Sequence, residues 1–67
     1  MSNDSISAIE LLTIPEVAKL LKISARGVRR LQQRRKIPFV KIGGSVRFVV
    51  NDLAVYVKAN RVEVIDP

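Results

Sequence analysis

The sequence predicts a mainly α-helical domain carrying a small β-hairpin, in the order helix, turn, helix, hairpin, helix. Two observations predict it. Three stretches repeat apolar residues at helical spacing: Val17, Leu20 and Leu21; Val28 and Leu31; Leu53, Tyr56 and Val57. Between the second and third of these, two β-favouring stretches flank Gly43-Gly44-Ser45, a hairpin signal. With 67 residues and an apolar fraction of 48%, the chain has material for one core and one domain, expected over residues 11–60. Residues 1–10 read as a flexible lead-in, and residues 61–67 as a tail.

The first helix starts at Thr13-Ile14-Pro15-Glu16. Thr13 caps it, and Glu16 reaches back to the Thr13 amide, a capping box. Pro15 is tolerated in a first turn, where its missing N–H has no intrahelical partner. Val17, Leu20 and Leu21 form one apolar face, and the helix is expected over 14–21. Lys22-Ile23 is a short turn, and Ser24 caps the second helix. At about 100° per residue, Val28 and Leu31 share one side. Arg26, Arg30 and Gln33 share the opposite side, with Arg29 at its edge. This helix is expected to stop near Arg35 or Lys36, because Pro38 disfavours helical backbone at Ile37.

In the hairpin, alternation is expected to turn Val40, Ile42, Val46 and Phe48 towards the core. Phe39, Lys41 and Arg47 would then face outward. Asn51 or its neighbour is expected to cap the third helix, which ends near Asn60. Val62, Val64 and Ile65 in the tail admit several readings: a short strand, a docking segment, a frayed end or a contact between protomers.

Charge gives the functional signal. Of the 12 basic residues, all but Lys58 and Arg61 lie between Lys19 and Arg47, a window that holds none of the 6 acids. Solvated helix faces normally mix signs. This one suits a polyanion, and the layout favours duplex nucleic acid. Arg26 and Arg30, one turn apart, suit guanine O6 and N7 in the major groove. Arg29 and Gln33 are placed to read bases or hold phosphates. Arg34, Arg35 and Lys36 are either phosphate contacts or solvated charge.

The absence of Cys and His removes disulfides, the usual zinc ligands and the commonest catalytic bases and nucleophiles. No enzyme, metal or cofactor is expected, and no small-molecule ligand is evident. The N-terminus lacks a basic n-region, and no apolar run approaches the ~18 residues of a membrane span, so a cytoplasmic, nucleoid-associated protein is expected. An interfacial membrane peptide would need an apolar face beside the arginines, which this helix lacks. Phe48 and Tyr56 fall on core faces, leaving no aromatic row for single strands or RNA.

The ordered set Leu12-Thr13-Ile14-Pro15-Glu16-Val17-Ala18-Lys19-Leu20-Leu21, Ile23-Ser24, Val28, Leu31, Ile37-Pro38, Val40-Lys41-Ile42-Gly43-Gly44, Arg47-Phe48 and Asp52-Leu53 resembles the winged helix-turn-helix of the excisionase and MerR-like families. The resemblance covers roughly Leu11 to Tyr56. It implies that the second helix enters the major groove and that the hairpin, the wing, touches the adjacent backbone or minor groove. Carried over by position, the helix contacts are Ser24, Ala25, Arg26, Arg29 and Arg30, to which the charge pattern adds Gln33 and Arg34. The wing contacts are Lys41, Gly43, Gly44, Ser45 and Arg47. Two positions depart from the families: Gly27 stands where Thr or Ser is frequent, and Arg29 where an aromatic is common. Gly27 is either a neutral replacement or a means of closer backbone approach.

The resemblance implies a recombination directionality factor that binds and bends an attachment-site arm, with integrase and further copies of itself as partners. A small phage-type transcription regulator uses the same module and remains the alternative. An RNA-binding basic protein is the distant one.

Overall fold

The computed structural model describes residues 10–64. Its elements are β1 (Leu11–Leu12), α1 (Ile14–Leu21), α2 (Ala25–Gln33), β2 (Val40–Ile42), β3 (Ser45–Val49) and α3 (Val50–Ala59). Three helices thus pack with a small antiparallel sheet of order β1-β3-β2, a winged helix-turn-helix arrangement. Residues 1–9 of the expected lead-in (1–10) and the last residues of the tail, 65–67, lie outside the described residues.

α1 has the expected bounds, and its capping box is formed. The Glu16 N–H donates to Thr13 Oγ1 at 3.3 Å, and the Thr13 N–H donates to Glu16 Oε1 at 2.8 Å. The helix closes through Lys22, which takes the left-handed conformation (φ 59°) while the Ile23 N–H donates to the Ala18 carbonyl at 3.1 Å. Glycine is the usual residue in this closure. A lysine there costs about 1 kcal/mol.

Ser24 caps α2, its Oγ accepting the Gly27 N–H at 3.0 Å. The helix ends at Gln33, short of Arg35. The same closure recurs, with Arg35 left-handed (φ 56°) and the Lys36 N–H donating to the Leu31 carbonyl at 2.9 Å. This turn sends Ile37 into the interior, where it is fully buried. The sequence assigns Ile37 to the helix stop and to the family resemblance, not to the core.

The hairpin differs from expectation by one register step. Val40 pairs with Arg47, Lys41 with Val46 and Ile42 with Ser45, so the turn consists of Gly43 and Gly44 alone. Directly opposed residues share a face. Phe39, Val46 and Phe48 therefore pack into or against the core, whereas Val40 and Ile42 are exposed. The expectation had the phase of the first strand reversed. It treated Gly43-Gly44-Ser45 as the loop, and a loop one residue shorter moves the whole strand to the other face. Gly43 carries the positive φ (65°) that the tight turn requires.

Two further features were not foreseen. β1 pairs with β3 through Leu11↔Val49 and Leu12↔Phe48, making the sheet three-stranded. Asn51 does not cap α3. The cap position is Val49, without a side-chain hydrogen bond. The Val50 N–H instead donates to the Glu10 carbonyl at 3.1 Å. Backbone next to β1 thus supplies an acceptor that a capping side chain would otherwise provide.

The core takes one fully buried residue from each main element: Val17 (α1), Val28 (α2), Ile37 (the link to β2), Phe48 (β3) and Leu53 (α3). Leu20 and Val57, expected on apolar faces, are 57% and 51% exposed. Arg61 to Val64 have no regular structure. Among the described residues no helix is long and apolar enough to cross a membrane.

Candidate nucleic-acid interface

α2 is oriented by its own apolar pair. Val28 is fully buried and Leu31 packs against the core cluster, so the residues half a turn away must face outward. Ser24, Ala25, Arg26, Arg29, Arg30, Gln33 and Arg34 are all exposed. Of the basic residues between Lys19 and Arg47, every one is exposed except Arg47, which is half-buried.

The exposed arginines work against the helix that carries them. Arg26 is the second residue of α2, at the positive end of the helix dipole, and no acid stands in the first turn. An exposed charge of the wrong sign there costs roughly 0.3–1 kcal/mol. Arg26 and Arg30 are one turn apart, as are Arg30 and Arg34, and each such like-charge pair costs roughly 0.2–0.5 kcal/mol. A phosphate backbone relieves these repulsions.

Ser24 keeps a donor for a ligand. Its Oγ accepts the Gly27 N–H, while the hydroxyl proton is free to rotate towards an outside acceptor. At Gly27 an added Cβ would meet Ser24 Oγ at 3.4 Å and Ile23 Cδ1 at 3.5 Å, ordinary contact. Packing within the chain does not require glycine there.

The wing candidates separate. Lys41, Gly43, Gly44 and Ser45 are exposed around the turn. Lys41 pairs with Val46 and Arg47 with Val40, so the two basic side chains leave opposite faces of the hairpin rather than one. Arg47 is further constrained, since its Nη1 donates to the Val46 carbonyl at 2.8 Å. An added Cβ at Gly43 or Gly44 would meet nothing within 4 Å, so the backbone amides of the turn are open to approach. The structure also distinguishes two basic residues, Lys22, to which the sequence assigns only a turn, and Arg35, which the sequence leaves as phosphate contact or solvated charge. Lys22 and Arg35 hold exposed, left-handed positions at the two ends of α2. Nothing in the sequence signals these closures, which usually carry glycine.

Two short helices meet through a three-residue turn, the second helix bears the exposed arginines, and a hairpin follows. The sequence model of the helix-turn-helix domain matches residues 11–61. The chain belongs to the helix-turn-helix domain family. No curated protein and no solved structure matches it. Within this helix-turn-helix domain, α1 and α2 are the paired helices and Lys22-Ile23-Ser24 the turn. The match spans the wing and α3 as well. Helix-turn-helix domains are DNA-binding modules, and DNA is the partner that the family assigns. Among the described residues no group of His, Cys, Asp or Glu is placed to hold a metal ion.

Proposed function

We propose that this helix-turn-helix domain binds duplex DNA sequence-specifically, with α2 in the major groove and the hairpin against the neighbouring backbone. The observation that carries the reading is the exposed Arg26/Arg30 pair, one turn apart on the side of α2 opposite Val28 and Leu31. That spacing suits bidentate recognition of guanine O6 and N7 by each guanidinium. Arg29, Gln33 and Arg34 flank the pair. Ser24 and Ala25 stand at the end of α2 that approaches the phosphates. Lys41, Gly43, Gly44 and Ser45 form the wing contact, and Arg47 joins from its other face.

One α2 helix reads only a few base pairs, so useful specificity needs several copies on one DNA or a protein partner. The role that fits best is that of an excisionase-type recombination directionality factor, which bends an attachment-site arm and assists integrase. The resemblance to that family and the need for several copies support this role.

The test is selection of duplexes from a random pool, followed by footprinting of the winners over a titration. Closely spaced direct repeats filled together are the expected result, and an excision assay with integrase follows. A lone site or an inverted repeat would instead indicate a transcription regulator. No enrichment, with equal affinity for structured RNA, would overturn the sequence-specific reading.

A further inference from the structure

The helices leave an open groove of about 880 Å³ between the helix-turn-helix pair and α3. Its base is formed by Leu21, Leu31 and Leu53. Its walls are large apolar side chains left in water: Leu20 is 57% exposed, Ile23 41% and Val57 51%. Lys58 and Arg61 stand at one end. Because Leu31 lies on the side of α2 away from Arg26, Arg30 and Gln33, the groove stays open while that arginine face is on DNA.

A second apolar strip in the same chain is also uncovered. Val62 is 87% and Val64 92% exposed, immediately beyond the groove's Lys58 and Arg61 end. The stretch Arg61-Val62-Glu63-Val64-Ile65 contains no Gly or Pro and is rich in β-branched residues. Such a stretch favours extended backbone. In extended form Val62 and Val64 project to one side and Glu63 to the other.

We infer that the tail of one copy docks into this groove of the next copy, linking neighbouring molecules on DNA. The inference rests on the DNA-binding reading and deepens it by naming the surface through which copies meet. The chain's own tail leaves the groove at Arg61, and its residues 62–64 do not fold back over it. Charge also matches the tail to the groove, and the exposure of the chain's own Val62 and Val64 leaves that match to a second copy. Each chain carries a net charge of +6, yet the sequence after Arg61 holds two acids and no base, and in extended form position 66, an aspartate, shares the side of Val62 and Val64 that would enter a groove whose charged residues are Lys58 and Arg61. A tail-to-groove contact joins two different surfaces, and between copies held in one orientation on tandem sites it runs head to tail along the duplex rather than closing by reciprocal exchange of tails.

Two measurements test this on the full-length chain. The first compares binding to duplexes carrying one selected site or two in tandem. The wild type should fill the tandem sites with a cooperative gain of at least about fivefold. The double variant Val62→Ser/Val64→Ser and, separately, Val57→Ser, which leave the net charge unchanged, should lose that gain while single-site affinity stays within about twofold, since none of these residues lies on the arginine face. A wild type that fills the tandem sites independently, or variants that keep the gain, would overturn the inference. The second measurement needs no DNA. A synthetic peptide of residues 60–67 is titrated into the tail double variant, followed by amide chemical shifts. Shifts centred on Leu20, Ile23 and Val57 are expected. Shifts elsewhere, none at all, or tail protection in the wild type that is independent of concentration, would sink it. Failure to bind any duplex in the first experiment, with groove shifts intact in the second, would count against the DNA reading alone.

Discussion

Arg26→Glu is expected to stabilise the protein and to weaken specific DNA binding strongly. Arg26 is exposed, makes no core contact, and occupies the second position of α2 (Ala25–Gln33). Glu and Arg have similar helix propensities, so backbone preference changes little. Reversing the charge turns an unfavourable interaction with the helix dipole into a favourable one, worth about 1 kcal/mol for the full reversal at an exposed site. The pair with Arg30 changes from like-charged to a Glu-to-Arg pair at i, i+4, adding about 0.5 kcal/mol. Screening at moderate salt leaves about 1 kcal/mol. For a domain of this size that corresponds to a rise in Tm of roughly 4–8 °C. On DNA the same change removes a base contact and sets a carboxylate against phosphate, weakening binding to the preferred duplex by about 30-fold or more. Thermal unfolding by circular dichroism at low and high salt, and fluorescence anisotropy with the selected duplex, read the two effects. The Tm gain should shrink as salt rises. A fall in Tm at low salt would mean that Arg26 has a structural role. Unchanged affinity with a raised Tm would remove α2 from the interface.

Ile42→Ala should leave Tm nearly unchanged, because Ile42 faces solvent, whereas Phe39→Ala should destabilise by about 2 kcal/mol through lost core packing; the reverse order in chemical denaturation would restore the other hairpin register. Gly44→Ala should fold normally, since an added Cβ meets nothing and φ is not positive, so any loss of affinity in a binding titration reports close approach of DNA to the turn. Gly43→Val, by contrast, should lower stability by about 1 kcal/mol because Gly43 has φ of 65°. Lys22→Gly should raise stability by about 1 kcal/mol by relieving the left-handed backbone, and a lower Tm would refute the strain assigned there. The logarithm of the binding constant should fall against the logarithm of salt concentration with a slope of about −5 if roughly six phosphates are neutralised, and a flat dependence would exclude the basic surface as the contact.

What could be read in the sequence is what local chemistry fixes. α1 began and ended where the Thr13–Glu16 capping box and the Lys22-Ile23 turn placed it. The outward set Arg26, Arg30 and Gln33 followed from the position of Val28 and Leu31 on a helix, and the charge window from simple inspection. The family match over residues 11–61 agrees with that order of elements. The tertiary structure decided the features that depend on a partner strand or a neighbouring helix. A strand's inward face is set by how many residues its turn uses, and Gly43-Gly44-Ser45 fits a loop of two or of three. Only the pairing of Ile42 with Ser45 selected two, reversing Phe39 and Val40 and parting Lys41 from Arg47. β1 is two residues long and too short to show a period, so it exists by virtue of the edge that β3 offers. Val49 occupies the α3 cap position because the Glu10 carbonyl accepts the Val50 N–H, a contact between residues far apart in the chain. Leu20 and Val57 satisfy the helical spacing and still face water, because a 3.6-residue period defines a wide face while the packing of α1, α2 and α3 covers only part of it.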